Sequence, residues 1–122
     1  MYKLLDRPKV TIGITSYNSE KTIIRAINSA LNQTWSNKEI IIVDDGSIDS
    51  SKVLIKKAIN GKQINFLNHT ENKGASFSRN QIIKNSNSEL ICFMDDDDYS
   101  DPQRVQKQVI QIIKCGYPKK EL

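Results

Sequence analysis

The sequence contains few of the residues that form disulfide frameworks or nitrogen-ligated metal sites. Its 122 residues include two cysteines and one histidine. Cys92 falls in an apolar segment and Cys115 near the expected end of the last helix, which predicts two separate thiols. His69 has no second histidine to share a metal with, and we interpret it as a loop residue. These counts exclude a disulfide scaffold and a zinc knuckle.

Long apolar runs and dense basic clusters are also missing. No segment has the length of a membrane-spanning helix, and residues 1–6 lack the apolar core of a signal peptide. We therefore expect a cytoplasmic protein with no membrane span, which could still act at the cytoplasmic face of a membrane. The formal charge is +4, but the basic residues are dispersed. This charge suits an anionic ligand and does not indicate nucleic acid.

Three glycine-based motifs are absent. The sequence has no GxGxxG after its first strand, no GxxxxGK[ST] and no GxSxG. A dinucleotide-binding fingerprint, a P-loop and a hydrolase nucleophile elbow are therefore not supported. Hydrophobic residues make up 38% of the chain and charged residues 26%, which is typical of a soluble globular domain.

What is present is a regular alternation of apolar segments and amphipathic ones. Strands are predicted at residues 10–15, 39–43, 63–67 and 90–94, the last of them buried. The first helix is predicted to be capped by Asn18 and the last to open at Asp101-Pro102 and end at Gly116. Helices at 50–59 and 75–84 lie between them. The order βαβαβαβα predicts an α/β fold with a Rossmann-like, doubly wound, mainly parallel sheet.

Polar residues follow three of the predicted strands, at positions 15–18, 44–47 and 95–98. Parallel strands end at the same edge of a sheet, and ligands bind beyond their carboxyl ends. We therefore expect these segments to share one rim. Tyr17 could stack there on a base, or be a surface aromatic. Asp45 could accept a hydrogen bond from a base N–H, or belong to an ordinary turn. Arg79 could face the rim, or be a solvated helix cation.

The four consecutive aspartates at 95–98 are the strongest local signal. Neighbouring carboxylates repel by about 1 kcal/mol per pair in water, and by more in a partly dry cleft. A divalent cation would relieve this repulsion, and carboxylate oxygens suit Mg²⁺ or Mn²⁺. The alternative is an acidic surface turn. The run also leaves the register of the metal-binding residues ambiguous by one position.

Five segments in this order resemble the nucleotide-binding half of a family 2 glycosyltransferase of the GT-A fold. They are TSYN at 15–18, SALNQTW at 29–35, IVDDGSID at 42–49, NKGASFSRN at 72–80 and DDDD at 95–98 with Pro102 beyond it. The resemblance covers about residues 9–109. It implies that the chain is an enzyme, or part of one, that transfers a sugar from a nucleotide-diphosphate donor.

The resemblance also implies roles for individual residues. The implied nucleotide-binding residues are Thr15, Tyr17, Asn18, Asp44, Asp45, Arg79, Asp95 and Asp96, and the implied metal ligands are Asp95 and Asp97. Tyr17 would lie against the base and Asp45 would bind a uracil-type edge. Arg79 would lie near the diphosphate. The cofactor would be Mn²⁺ or Mg²⁺, and the donor a UDP-sugar used with inversion.

In this family the general base and the acceptor pocket lie in the second half of the domain. We therefore interpret residues 1–122 as a single partial GT-A domain that binds metal and nucleotide but turns over poorly by itself. The acceptor would be a glycan, a lipid-linked molecule or a protein. A truncated sheet would leave a free edge, which predicts a possible homo-oligomer.

Two alternative functions remain open at this point. The chain could be a non-catalytic nucleotide-binding or assembly module of the same fold. It could also be a receiver-like phosphoacceptor domain that uses the acid pair and a magnesium ion. A receiver needs a phosphorylatable aspartate after its third strand, whereas Leu67-Asn68 ends that strand here.

Overall fold

A computed structural model describes residues 7–115 of the chain. Within this range four strands alternate with four helices, which confirms the predicted element order. The elements are β1 (Val10–Ser16), α1 (Ile23–Leu31), β2 (Lys38–Asp44), α2 (Ser51–Ile59), β3 (Ile64–Asn68), α3 (Ala75–Asn85), β4 (Leu90–Asp95) and α4 (Arg104–Lys114).

The four described strands form one parallel sheet in the order β3-β2-β1-β4. The register aligns their carboxyl ends, because Thr15 pairs with both Val43 and Asp95 and Asp44 pairs with Asn68. A receiver-like sheet would place β1 between β2 and β3. Here β1 lies between β2 and β4, so the strand order argues against a receiver domain.

Helices cover both faces of the sheet, as a doubly wound fold requires. Apolar residues of α1, α2 and α4 pack on one face, whereas Ile82 of α3 packs on the other. The chain moves outward from β1 to β3 and then returns across the sheet to β4. A constant handedness of the crossovers therefore puts α3 on the face opposite α1 and α2.

The core lies against the two central strands, and Gly13 of β1 determines how closely α3 packs on them. Ile12, Ile14 and Ile42 are fully buried under α1 and α2. On the other face, a Cβ atom at Gly13 would lie 2.6 Å from Cγ2 of Ile82. The absence of a side chain at Gly13 therefore lets α3 approach β1 closely.

The prediction of a buried fourth strand was wrong in part. β4 is an edge strand, and of its six residues Met94 alone is buried. The apolar run 90–94 does not distinguish a central strand from an edge strand that a helix partly covers. Cys92 is accordingly half-buried, and burial raises the pKa of its thiol despite the opposing charge of Arg104. Cys115 is exposed at the end of α4.

Two predicted helix starts were also wrong. α1 begins at Ile23, because Asn18 has a positive φ of 48° and its Oδ1 accepts a hydrogen bond from the Ile48 amide instead of capping a helix. α4 begins at Arg104, and the Asp101 carboxylate accepts a bond from the Gln103 amide in a preceding turn. The predicted end at Gly116 lies outside the described residues.

Candidate active site

The candidate site lies where the winding direction of the sheet reverses. β1 leads outward to β2, whereas β4 on its other side is reached by the returning crossover. The connection that leaves β1 (α1) and the one that leads into β4 (α3) lie on opposite faces of the sheet, and a crevice lies beyond the carboxyl ends of these two strands. A cavity of about 290 Å³ lies at this crevice. It is lined by Thr15, Ser16, Tyr17, Asp45, Asn72, Gly74, Ala75, Ser78, Asp95 and Asp96.

The cavity brings together five of the residues singled out in the sequence. These are Thr15, Tyr17, Asp45, Asp95 and Asp96. Arg79 lies at its border, with Nη2 3.9 Å from Oδ1 of Asp95. Asp97 is in the same loop as Asp96. The backbone amide of Tyr17 donates a 2.8 Å hydrogen bond to the Asp96 carboxylate, so the segments after β1 and β4 are joined directly.

Two further residues of that set do not line the cavity in this structure. Asp44 is fully buried, and its carboxylate accepts hydrogen bonds from the hydroxyl of Ser16 and from the amide and hydroxyl of Ser47. The backbone amide of Asn18 donates to the Ser47 hydroxyl, and the Asn18 side-chain oxygen accepts a bond from the Ile48 amide. Both side chains therefore hold together the loops that follow β1 and β2, which is a positioning role.

Asp45 is held rigidly at one end of the cavity. Its Oδ1 accepts hydrogen bonds from the Lys73 amide and from Nδ1 of His69, each at 2.8 Å, and Oδ2 accepts one from the Gly74 amide. The His69 ring in turn lies against Phe77, with 5.1 Å between ring centroids. One lone pair of Oδ2 is left for a ligand. Burial alone would raise the Asp45 pKa, but the bonds from His69, Lys73 and Gly74 outweigh it and lower the pKa.

This lowered pKa predicts how stability depends on pH. A carboxylate whose pKa is lowered by folding stabilises the folded protein at pH values above its pKa in the unfolded chain, which is about 3.9 for Asp. This stabilisation disappears as the pH falls through the pKa of the carboxylate in the folded protein. We expect Asp45→Asn to lower the free energy of unfolding at pH 7, and the difference from the natural sequence to shrink steadily below about pH 4. Urea denaturation at several pH values would measure this. A difference of constant size across the range would contradict the assignment.

Three of the four aspartates converge, and the fourth points elsewhere. Asp95, Asp97 and Asp98 each offer a carboxylate oxygen, and these oxygens lie within 4.8 Å of one another. Asp96 instead turns toward the Tyr17 amide. The Asp98 carboxylate also accepts a bond from the Asp95 amide, which closes the turn at 2.8 Å. The spacing of Asp95 and Asp97 in the sequence therefore corresponds to one cluster in space, to which the structure adds Asp98.

This cluster fits a divalent cation. All three groups are exposed carboxylates, and hard oxygen ligands suit Mg²⁺ or Mn²⁺. Three negative charges so close together are unfavourable without a counter-charge. Among the described residues Arg79 approaches the cluster through Asp95, but its guanidinium makes only a long contact there.

The sequence of residues 11–117 matches the family model named Glycosyl transferase family 2. The chain belongs to glycosyl transferase family 2. The match includes every described strand apart from the first residue of β1, and therefore the whole candidate site.

Relatives and solved structures agree with this family. The chain is 32% identical over 110 residues to the Escherichia coli enzyme named UDP-Glc:alpha-D-GlcNAc-diphosphoundecaprenol beta-1,3-glucosyltransferase WfgD, covering 90% of the chain and 43% of WfgD. It is 38% identical over 100 residues to WfaP, an E. coli protein of the same description, covering 82% and 39%. The structure of S. aureus TarS 1-349 in complex with UDP superimposes with a TM-score of 0.78 at 28% identity, covering 87% and 32%.

These matches confirm the GT-A, Rossmann-like fold class. They also show that the chain spans about two-fifths of the length of WfgD and WfaP and a third of that TarS chain. Separately, none of the helices within residues 7–115 combines the length and the apolarity that crossing a bilayer requires.

In this family 2 chain, the segment SALNQTW ties α1 to the acidic loop. The Gln33 amide nitrogen donates to the Asp101 carbonyl at 2.8 Å, and its oxygen accepts from the Val105 amide at 3.0 Å. The Ser100 amide donates to the Ser29 hydroxyl. On the preceding turn of α1, Arg25 donates to the Asp97 carbonyl. The position of the acidic loop therefore depends on residues about 70 positions earlier in the chain.

Sequence reasoning assigned no role to several residues of the site. His69 was interpreted as a loop residue, yet it holds Asp45. Asn72, Ala75 and Ser78 line the cavity although no role was assigned to them. The last three fall within the segment 72–80, so the resemblance contained a signal for them. His69 carried none, because its contact with Asp45 bridges residues 24 positions apart.

Proposed function

We propose that this chain is the nucleotide-sugar-binding part of a family 2 glycosyltransferase that uses a UDP-sugar with Mn²⁺ or Mg²⁺. One observation carries the proposal: a single cavity at the reversal of the sheet is lined by the Tyr17 ring, by the fixed Asp45 carboxylate and by Asp95, one of three clustered carboxylates. A stacking ring, a fixed acceptor and a metal-binding carboxylate in one cavity suit the base and the diphosphate of one nucleotide.

The nucleoside would occupy the side of Tyr17 and Asp45. Tyr17 is 47% exposed, which leaves its ring free to stack on a base. Asp45 is ionised and immobile, so its remaining lone pair can accept the N3–H of uracil. Thr15, beside Asp95 in the register, would contact the nucleoside from β1. Asp44 and Asn18 would act through the loops that they hold together.

The diphosphate would lie toward the acidic loop. Asp95 and Asp97 would hold the cation, with Asp98 as a third ligand, and Asp96 would face the ribose. Arg79 would approach the diphosphate with its positive charge. When bound, the cation supplies the positive charge that stabilises the departing nucleoside diphosphate.

The remainder of the reaction is also proposed, with support from the relatives. The acceptor of WfgD and WfaP, by their names, is lipid-linked. A lipid-linked acceptor used with inversion at the cytoplasmic face of a membrane fits this chain, while glycan and protein acceptors remain candidates. The general base and the acceptor pocket would lie outside residues 1–122.

The unpaired edges of β3 and β4 in the described sheet would suit self-association. A purely non-catalytic assembly module is not favoured, since the cavity has a polar lining suited to a nucleotide.

Titration calorimetry with UDP, in the presence and absence of Mn²⁺, tests the proposal. We expect UDP to bind in the micromolar to millimolar range usual for enzyme substrates, and more tightly with Mn²⁺. UMP serves as the control, because a metal that contacts the diphosphate should strengthen UDP binding much more than UMP binding. Absence of UDP binding under both conditions would refute the proposal. Efficient sugar transfer by residues 1–122 alone would refute the placement of the general base elsewhere.

A further inference from the structure

One buried hydroxyl at the cavity has no partner. Within residues 7–115, Oγ of Ser78 is the one fully buried side-chain nitrogen or oxygen that makes no hydrogen bond. The Ser78 side chain is 0% exposed and belongs to the lining of the cavity. Leaving a buried hydroxyl unpaired is unfavourable, so such a group points to a ligand that pairs with it.

The packing of α3 places this hydroxyl at the floor of the cavity. Ile82, one turn further along α3, packs directly on Gly13 of β1. Ser78 therefore faces the sheet near the carboxyl end of β1, where Thr15 lies. Its neighbours in the helix diverge: Phe77 contacts His69 and Arg79 approaches Asp95. Along α3, Ser78 thus lies between a residue that contacts the partner of Asp45 and a residue that approaches Asp95.

Recognition of a uracil edge needs a hydrogen-bond donor in addition to the Asp45 carboxylate. Asp45 already accepts three hydrogen bonds and offers one remaining lone pair, which can only accept. The base edge of uracil presents two carbonyl oxygens beside its N3–H, and these oxygens require a donor. A serine hydroxyl supplies one, and rotation about its Cα–Cβ bond between staggered positions can direct it into the cavity.

We propose that Ser78 is a specificity-determining residue that donates a hydrogen bond to a carbonyl oxygen of the uracil ring. This inference rests on the proposed function and adds to it a contact with the base itself. Asp45 would accept from N3–H and Ser78 would donate to the adjacent oxygen. Together they would complement the adjacent acceptor and donor of the uracil edge, whereas adenine presents a donor and an acceptor in the reverse roles.

The test is Ser78→Ala, with two readouts of opposite sign. Without a ligand, removal of an unpaired buried hydroxyl should raise the melting temperature by about 4 °C. In the presence of Mn²⁺, the affinity for UDP should fall about tenfold, since one hydrogen bond is lost. The affinity for ADP should stay nearly constant. The matched control is Ser76→Ala, the same change at an exposed position of α3, which should alter neither quantity.

The possible results separate the two proposals. If Ser78→Ala binds UDP as tightly as the natural protein does, the role of Ser78 is overturned and the proposed function stays intact. Equal losses for UDP and ADP would overturn the contact with the base, because they indicate the ribose or the diphosphate. A lower melting temperature would show that the hydroxyl has a structural partner, and would also overturn it. Failure of the natural protein to bind UDP at all would refute both proposals.

Discussion

Replacement of Asp97 by Asn is expected to lower the affinity for UDP in the presence of Mn²⁺ by about 100-fold. The reason is that Asp97 is one of three carboxylates whose oxygens lie within 4.8 Å of one another. An amide has no charge with which to offset the cation. The side chain is exposed, so the substitution should leave the fold unchanged. Removal of one of three neighbouring charges should even relieve repulsion in the metal-free protein.

The measurement is calorimetry with UDP over a range of Mn²⁺ concentrations. Asp96→Asn is the matched control, because Asp96 is the next residue but its carboxylate faces the Tyr17 amide. We expect Asp96→Asn to weaken UDP binding by a similar factor with and without Mn²⁺. Asp97→Asn should instead abolish most of the difference between the two conditions. If both variants keep the full response to Mn²⁺, the acidic cluster is not the metal site.

Replacement of Gly46 by Ala is expected to lower the free energy of unfolding by about 3 kcal/mol and to remove UDP binding. Gly46 has a positive φ of 78°, and a Cβ there would lie 2.5 Å from the carbonyl carbon of Glu71 and 2.6 Å from the amide nitrogen of Asn72. Both are backbone atoms and cannot rotate away. The segment must therefore move, and with it the Lys73 and Gly74 amides that hold Asp45.

Gly61→Ala provides the control, because Gly61 has the same φ of 78° but nothing lies within 4 Å of its added Cβ. Its loss of stability should be about 1 kcal/mol, from the left-handed backbone alone. Urea denaturation of both variants separates the free-energy cost of a left-handed backbone at a non-glycine residue from the cost of the steric clash with residues 71–72. Equal losses at the two positions would show that residues 71–72 can yield, and would contradict the close approach.

Much of the fold was readable because apolar periodicity reports burial directly. β1 and β2 are central strands, and their near-continuous apolar residues were sufficient to predict them. The shared rim also followed from sequence, since parallel strands necessarily align their carboxyl ends. The errors came at two good capping residues: the Asn18 side chain accepts a hydrogen bond from Ile48 across a loop, and the Asp101 carboxylate closes a local turn that precedes α4.

The sequence by itself determined the alternation of strands and helices, the family, and the acidic and aromatic residues that follow the strands. These depend on local periodicity and on short motifs, which neighbouring residues specify. Only the tertiary structure decided that His69 holds Asp45, that Asp96 turns away from the other aspartates, and that the Ser78 hydroxyl is left without a partner. Each of these depends on which groups meet across the sheet, and such long-range contacts are created by packing and have no local pattern.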